Sequence, residues 1–254
     1  MKKFLIISAI SIISLVFFIS LISIISPAFA ATLNSSMSQS YRQGLGLNRG
    51  LVGWWTMDGQ DVNATQILDK SQSNVSLTKN GTTRATGKIG QGISCNGTTD
   101  YALSGSTVSG SSGYITVAAW IKYRGTWNNP IAVDRGTDWR LLSGAEASAV
   151  ASAMYSSTVD AWGTRVSGTT VLRANTWYYI AFTFDGANAK IWVNGVVDGT
   201  KVATGTLNVA NTLTAICTYN GISSNFLNGQ IDDVRIYSRA LSASEVKQLY
   251  NMGR

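Results

Sequence analysis

Histidine is absent from this chain of 254 residues, and the only glutamates among its 13 acidic residues are Glu146 and Glu245. Histidine and glutamate are frequent proton-transfer groups, so general acid–base catalysis has few candidates here. A Ser-His-Asp or Cys-His nucleophile is excluded, as is a zinc site built on histidine. Glycoside hydrolysis needs two carboxyl groups flanking one bond, and the spacing of the aspartates singles out no such pair. The composition therefore predicts a protein that is not an enzyme.

Charge is also scarce, because charged residues make up only 13% of the chain. The net charge of +7 falls to +5 once Lys2 and Lys3 are removed with a leader peptide, and the other basic residues are scattered singly. Without a basic run, nucleic-acid binding is not expected. A mild preference for anionic glycans or cell surfaces is the most that the charge supports. The abundant Gly, Ser, Thr and Asn are typical of turn-rich β proteins outside the cell.

The one long apolar run lies at the N-terminus. Residues 1–30 have two lysines, then a Leu/Ile/Phe/Ser stretch, then Ala28-Phe29-Ala30, which is the pattern of a secretory signal peptide with its cleavage site. The alternative is an uncleaved membrane anchor, since the stretch from Phe4 to Ser26 is long enough to span a bilayer. A membrane is therefore a partner only if the segment is not cleaved. In both cases the rest of the chain is predicted to be secreted or displayed on the cell surface.

The remaining chain shows the pattern of a β protein. Residues 31–49 are rich in Ser, Asn and Gln and are predicted to form a flexible linker, and residues 50–254 one domain. Its clearest signal is the stretch from Trp177 to Gly199, where Asp185-Gly186 and Asn194-Gly195 are predicted turns between β-branched strands. One helix is predicted, after the capping box Ser242-Ala-Ser-Glu245. The fold class predicted is all-β, with a short C-terminal helix.

Six motifs, in order along the domain, resemble one known family. They are Trp55-Thr-Met-Asp58, Gly87-Lys-Ile-Gly-Gln-Gly-Ile-Ser-Cys-Asn-Gly97, Ile115-Thr-Val-Ala-Ala-Trp120, Trp177-Tyr-Tyr-Ile-Ala181, Trp192-Val-Asn-Gly195 and Gly229-Gln-Ile-Asp-Asp-Val-Arg-Ile-Tyr-Ser-Arg-Ala-Leu241. Together they resemble the laminin G-like jelly-roll domains of the concanavalin A-like lectin/glucanase superfamily. The resemblance covers Leu51 to about Met252. It implies a jelly-roll β-sandwich of two antiparallel sheets, glycan or protein binding on secreted and surface proteins, and often a structural calcium ion.

The predicted calcium site rests on two aspartates. Strand alternation places Asp232 on the same face as Val234 and Ile236, where a carboxylate needs a metal or several hydrogen-bond donors, and Asp233 on the opposite face. The resemblance implies that an aspartate at this position can hold calcium together with oxygens near the first strand, where Asp58 is the matching acid. Backbone carbonyls would have to complete the ligand set. The alternative is that Asp232 simply accepts backbone N–H bonds at a sheet corner.

A predicted ligand-binding site lies in the segment from Arg124 to Gly168, which resembles the family less. Its aromatic residues stand among polar ones, and an exposed ring beside hydrogen-bonding groups is how lectin-like sites hold a sugar. The predicted ligand-binding residues are Trp127, Trp139, Trp162, Tyr155 and Arg140. The alternative is that these loop tryptophans are tucked over the edge of the sandwich.

Tryptophans within strand patterns are predicted to be core instead, above all Trp120 and Trp177.

Cys95 and Cys217 are the only cysteines, and in an exported chain a disulfide between them is the default expectation. The alternative is two separate buried thiols.

The sequence therefore predicts a non-catalytic binding module whose ligand is a glycan or a surface protein, with carbohydrate binding or adhesion as its role. Two alternatives stay open. One is a structural protein that assembles with copies of itself at a surface. The other is a glycoside hydrolase, although the chain has no Glu-x-Asp-x-Glu-like run of the kind such enzymes carry on one strand.

Overall fold

The computed structural model describes residues 46–108, 113–124, 130–142, 150–155, 164–207, 212–219 and 225–254. The chain divides into two compact units, residues 1–47 and 48–254, and the first is described only at its last two residues. The predicted signal peptide and most of the predicted linker lie outside the described residues. Within the described ranges, no helix has the length and apolar character needed to cross a membrane.

The second unit is built from strands and one C-terminal helix. The strands are β1 Leu51–Trp55, β2 Gln66–Ile67, β3 Leu77–Asn80, β4 Thr83–Thr86, β5 Gln91–Asn96, β6 Tyr101–Ser104, β7 Ile115–Tyr123, β8 Ile131–Asp134, β9 Trp139–Leu142, β10 Val150–Tyr155, β11 Thr164–Val171, β12 Trp177–Phe184, β13 Asn188–Val193, β14 Val196–Val202, β15 Ala215–Ile216 and β16 Asn228–Tyr237. The helix, α1, spans Ala243–Met252.

The strands form two antiparallel sheets of eight strands each. The first sheet has the order β14-β13-β12-β7-β16-β5-β4, with β1 also paired to β16. The second sheet has the order β11-β10-β9-β8-β15-β6-β3-β2. Many neighbours in each sheet are distant in sequence, as in the pairs β7–β16 and β6–β15. The predicted all-β fold of two antiparallel sheets is confirmed.

Strand alternation explains the core. On β12, Ile180, Phe182 and Phe184 point between the sheets and are buried. From the second sheet, Leu141 and Tyr155 join the same cluster, and the ring centroid of Tyr155 lies 5.9 Å from that of Phe182. Successive side chains on a strand face opposite sides, so the intervening residues lie on the outer face of their sheet. Each sheet therefore has one face in the core and one outer face.

The two predicted hairpin turns are present. Asn194 and Gly195 are the only residues between β13 and β14, and both have positive φ, 52° and 78°, as a type I′ turn requires. Between β12 and β13, the Asp185 carboxylate accepts hydrogen bonds from the backbone N–H groups of Ala187 and Asn188. Local sequence chemistry therefore sets the register of the β12–β13–β14 meander.

A β-bulge in β16 overturns the predicted facing of Asp232. The register with β7 shifts between Asp232 and Arg235, and Asp233 adopts a positive φ of 45°. Ile231 and Val234, three residues apart, both point into the core as a result. Asp232 is opposite Trp120 and lies on the outer face. The prediction that it shares a face with Val234 was wrong, because one extra residue reverses the alternation.

Helix α1 covers part of the outer face of the first sheet. It begins with the predicted capping box, in which the Ser242 hydroxyl accepts from the Glu245 N–H and the Glu245 carboxylate accepts from the Ser242 N–H. Val246 and Leu249 are buried. The ring of Tyr250 lies 5.6 Å from that of Trp120, which is 2% exposed. Trp120 is therefore buried as predicted, but beneath the helix rather than between the sheets.

The predicted disulfide is present. Cys95 on β5 is bonded to Cys217, which follows β15, with a Cα–Cα distance of 6.4 Å and a sequence separation of 122 residues. Both cysteines are completely buried in the core. Because β5 belongs to the first sheet and β15 to the second, the bond ties the two sheets together.

Candidate functional site

The outer face of the second sheet carries a continuous row of side chains. Residues directly opposite one another on paired strands share a face, so the pairing register identifies the members of the row. This second-sheet row consists of Thr78, Leu103, Ala215, Asp134, Arg140, Met154 and Arg165. It contains Arg140, one of the predicted ligand-binding residues.

Arg140 is held in place at the middle of this row. Its Nε donates to Asp134 Oδ1 at 2.8 Å, and the guanidinium carbon lies 4.8 Å from the ring centroid of Tyr219. Asp134 is completely buried, and its other carboxylate oxygen accepts from the Gly136 N–H. An arginine fixed by a buried carboxylate and an aromatic ring loses little entropy when it binds a further group. The Arg140 side chain is 14% exposed and is therefore accessible.

The turn between β8 and β9 supports this cluster with a second buried ion pair. Arg135 Nε lies 3.3 Å from a carboxylate oxygen of Asp138, and both side chains are almost fully buried. Burial lowers the pKa of Arg135, and the charge of Asp138 opposes that decrease. Gly136 has a positive φ of 57°, which allows the tight turn. The backbone that positions Asp134 and Arg140 is thus fixed by charge pairing and by the glycine.

A pocket of about 280 Å³ lies at the other end of the same face. Its walls include Thr78, Asn80, Tyr101, Leu103, Ser104 and Leu213. Tyr101 is partly exposed, and its hydroxyl accepts a hydrogen bond of 3.3 Å from the Asn80 side-chain amide. An accessible aromatic ring beside an amide and hydroxyl groups is a combination that holds a sugar ring by stacking and hydrogen bonding. Leu103 belongs to both the pocket and the second-sheet row, so the pocket and Arg140 lie on one surface.

Two of the predicted ligand-binding residues point away from that surface. Trp139 is 1% exposed and Tyr155 is fully buried, and both belong to the core between the sheets. Trp139 starts strand β9 instead of lying in a loop, so its expected exposure was wrong. The physical reason is parity: Trp139 and Leu141 face the core, while Arg140 between them faces outward. Trp127 and Trp162 lie outside the described residues.

The two predicted metal ligands, Asp58 and Asp232, contact the same turn between β4 and β5. Asp58 Oδ1 accepts from the backbone N–H of Gln91, and Asp232 Oδ2 accepts from those of Lys88 and Ile89, each at 2.8 Å. This is the hydrogen-bonded arrangement that the sequence left open as the alternative for Asp232. Burial raises the pKa of Asp232 to about 7, and the two backbone N–H groups partly counter that increase.

A calcium ion would need six to eight oxygens at this turn. No group of three or more His, Cys, Asp or Glu residues suited to a metal occurs within the described part of the chain. Three carboxylate bonds here already go to N–H donors, although Asp232 Oδ1 makes no hydrogen bond with any described residue. The backbone N–H groups at this turn therefore suit a carboxylate better than a cation. Calcium binding stays a prediction.

Sequence reasoning missed the pocket and misplaced two tryptophans, Trp139 and Trp177. Tyr101 and Asn80 alternate with the buried residues Ala102 and Leu77, so strand parity alone could have predicted their outward facing. The contact of Tyr219, which follows β15, with Arg140 on β9 joins segments distant in sequence and had no local signal. Trp177 was expected to be core but is only partly buried, with its ring beside Lys122.

Comparison with known proteins gives one family. The family model for a laminin G domain of the concanavalin A-like lectin/glucanases superfamily matches residues 96–247, which is more than half of the chain. No curated protein matches the sequence.

Several solved structures share the fold at low sequence identity. Domain 4 of AbnA, an extracellular arabinanase from Geobacillus stearothermophilus solved with arabinotriose, is 20% identical, with 79% of this chain and 98% of that one covered and a TM-score of 0.57. The binding domain of Paraclostridial Mosquitocidal Protein 1 is 19% identical, with 81% and 53% covered and a TM-score of 0.61. The ligand-binding domain of botulinum neurotoxin serotype D, solved with N-acetylneuraminic acid, is 13% identical, with 83% and 52% covered and a TM-score of 0.62. The chain spans about half the length of the two toxin structures. On the evidence of the family model and the two-sheet fold, the chain belongs to the concanavalin A-like lectin/glucanases superfamily, as a laminin G-like domain.

Proposed function

We propose that this chain is a non-catalytic carbohydrate-binding module that acts outside the cytoplasm, with the outer face of the second sheet as its binding surface. The observation that carries the proposal is the pocket at Tyr101, where one partly exposed ring is bordered by the exposed side chains of Asn80 and Thr78. The ring can stack on the apolar face of a sugar while the amide and the threonine hydroxyl bind its polar edge.

The position of Arg140 extends this surface. Leu103 in the pocket and Arg140 are separated by three strand spacings along the second-sheet row, roughly 14 Å. A ligand of several sugar units lying across the strands would reach from the ring of Tyr101 to the guanidinium of Arg140. The proposal therefore favours an oligosaccharide over a single sugar.

The similar structures support a binding role. The arabinanase domain, 98% of which is covered by the match, was solved with arabinotriose, so the same fold occurs with a bound saccharide in another protein. The neurotoxin domain was solved with N-acetylneuraminic acid, and the match covers 52% of that chain. An adhesive role on a secreted or surface protein is part of the same proposal, and it also rests on the leader-like residues 1–30.

A glycan-array screen of the mature chain, followed by titration of the best ligand, tests the proposal. Tyr101→Ala is expected to weaken binding by about 1–3 kcal/mol, the range of an aromatic hot spot. Tyr101→Phe keeps the stacking plane and is expected to lose less. Tyr114, another tyrosine and 50% exposed, lies outside the pocket, so Tyr114→Ala is the matched control. Absence of any glycan ligand, or equal affinity of the two alanine variants, contradicts the proposal.

The two alternatives predict different results. For a glycoside hydrolase, the carboxylates on this face would have to be free to act, but Asp134 and Asp138 are both ion-paired to arginines. For a surface-assembly protein, the favourable observation is the edge strand β14, where Val196 and Val202 are 61% and 77% exposed. Light scattering of the mature chain tests assembly, and a monomer at high concentration counts against it.

Calcium at Asp58 and Asp232 is the remaining part of the proposal. If an ion binds there, added calcium raises the melting temperature and a chelator lowers it, because a ligand that binds only the folded state stabilises it. If neither calcium nor chelator changes the melting temperature, the calcium site is contradicted. The proposal for the carbohydrate surface is not affected by that result.

A further inference from the structure

The outer face of the first sheet carries a second row of exposed side chains, in a part of the sheet that α1 leaves open. By register it runs across five strands, and its members are Trp177, Lys122, Gln230, Ser94 and Thr83. We call it the first-sheet row. All five are partly or fully exposed, in contrast to the buried residues Trp120 and Tyr179 in the neighbouring row. A partly exposed tryptophan at the end of a polar row is not explained by core packing.

Trp177 and Lys122 form a preset pair at one end of this row. They are directly opposite on β12 and β7, and the Lys122 ammonium lies 5.9 Å from the indole centroid. The contact holds the indole beside a positive charge without burying either group. The ammonium lies over one face of the indole, so a sugar ring stacked on the other face would have a cation close by.

Arg124 adds a second cation next to the row. It follows β7, and its guanidinium donates to the Ser94 hydroxyl and, at 3.1 Å, to the Gly229 carbonyl. These two bonds position the guanidinium, which is exposed and keeps further donors for a ligand. The side-chain amide of Gln230, between Lys122 and Ser94, makes no hydrogen bond with any described residue, so it can bind a ligand hydroxyl.

The exposed charges in and beside this row are basic, apart from Asp58, which is partly exposed and bonds to the same β4–β5 turn that carries Lys88. Lys88, whose ammonium lies 5.1 Å from the Trp120 ring, adds a third cation beside the row. No member of the row is acidic, and Asp232 in the neighbouring row is completely buried against the β4–β5 turn. From this stacking plane, available amide and set of cations, we propose that the first-sheet row binds an acidic oligosaccharide, with Trp177 stacking on a sugar ring and Lys122 and Arg124 pairing with carboxylates of different sugar units.

This surface is separate from the pocket at Tyr101, because the two rows lie on the outer faces of different sheets. The inference shares with the proposed function only the claim that the domain binds saccharides. It adds a second site and the charge class of its ligand.

Polygalacturonate is the probe, and its neutral methyl ester is the matched ligand control. The mature chain is expected to bind polygalacturonate, and Lys122→Gln and Arg124→Gln each to weaken that binding about tenfold, because each removes a charge-assisted bond. Lys190→Gln makes the same charge change elsewhere on the first sheet, on β13, and is expected to leave affinity within about twofold. Trp177→Ala is expected to weaken binding further, and Trp177→Phe to restore part of it, with thermal melts confirming that each variant is folded.

Four results would overturn the inference. The first is equal binding of polygalacturonate and its methyl ester, which would remove the role of the carboxylate. The second is an effect of Lys190→Gln as large as that of Lys122→Gln, which would reduce the binding to net charge. The third is loss of polygalacturonate binding in Tyr101→Ala but not in Lys122→Gln, which would place the acidic ligand on the second sheet. A neutral glycan that binds through Tyr101 while polygalacturonate does not bind at all contradicts this inference alone and leaves the proposed function standing.

Discussion

Removal of the Cys95–Cys217 disulfide should cost the domain a large part of its stability. The bond closes a loop of 122 residues and joins the two sheets within the core. On the chain-entropy model, a loop of this length restricts the unfolded chain by about 5 kcal/mol at 25 °C. Since the unfolding free energy of a domain is typically about 5–15 kcal/mol, a loss of this size would leave the domain marginally stable.

The variant that tests this is the double substitution Cys95→Ala and Cys217→Ala, which leaves no unpaired thiol. Cys217 has a positive φ of 68°, a conformation that alanine shares with cysteine at similar cost, so the substitution adds little new backbone strain. The small loss of volume at two buried positions adds to the destabilisation without altering its direction.

Urea unfolding followed by tryptophan fluorescence measures the effect. The double variant is expected to unfold at a lower urea concentration and with a steeper dependence on urea, because a chain without the cross-link exposes more surface when it unfolds. Reductant serves as the control: it should lower the stability of the native chain to that of the variant and leave the variant unchanged. A loss below about 1 kcal/mol, or a native chain that contains two free thiols by mass spectrometry, would refute the reasoning.

Three other substitutions test the packing of the domain. Burial raises the folded-state pKa of Asp232 from 3.8 to about 7, so the folded state binds this proton more tightly than the unfolded state, and the free energy of unfolding should decrease between about pH 4 and pH 7. Asp232→Asn should flatten that decrease, and identical pH profiles of stability for the variant and the native chain would show that Asp232 does not cause it. Asp233→Ala should destabilise the domain by about 3–5 kcal/mol, because it leaves the buried Arg235 guanidinium without the carboxylate that lies 3.1 Å away; retention of the native melting temperature would contradict the ion-pair argument. Trp139→Ala should lower stability by about 3–5 kcal/mol, since the indole is core, and a variant that melts like the native chain but loses glycan binding would restore the surface role first expected of it.

Much of the fold follows from local patterns in the sequence. The Asn194-Gly195 turn, the alternation along β12 and the capping box of α1 each depend on residues close together in the chain, so they could be predicted without knowledge of the tertiary structure. The disulfide could be predicted as well, because a chain with two cysteines has only one possible internal pair. Local patterns are therefore enough to predict an all-β sandwich with a C-terminal helix and one disulfide.

The side chains that form the candidate surfaces depend on contacts between strands far apart in the chain. The bulge at Asp233 moved Asp232 to the outer face, and no local signal marks a bulge whose cause is the register against β7. Trp139 was expected to be exposed but is buried, and Trp177 was expected to be core but is partly exposed. The burial of each depends on which face of its sheet it lies on and whether that face is covered, and not on the polarity of its sequence neighbours. The second-sheet row and the first-sheet row each join strands that are far apart in sequence. Antiparallel pairing alone places Leu103 of the pocket in one row with the Asp134–Arg140 pair, and Trp177 in one row with Lys122 and Gln230.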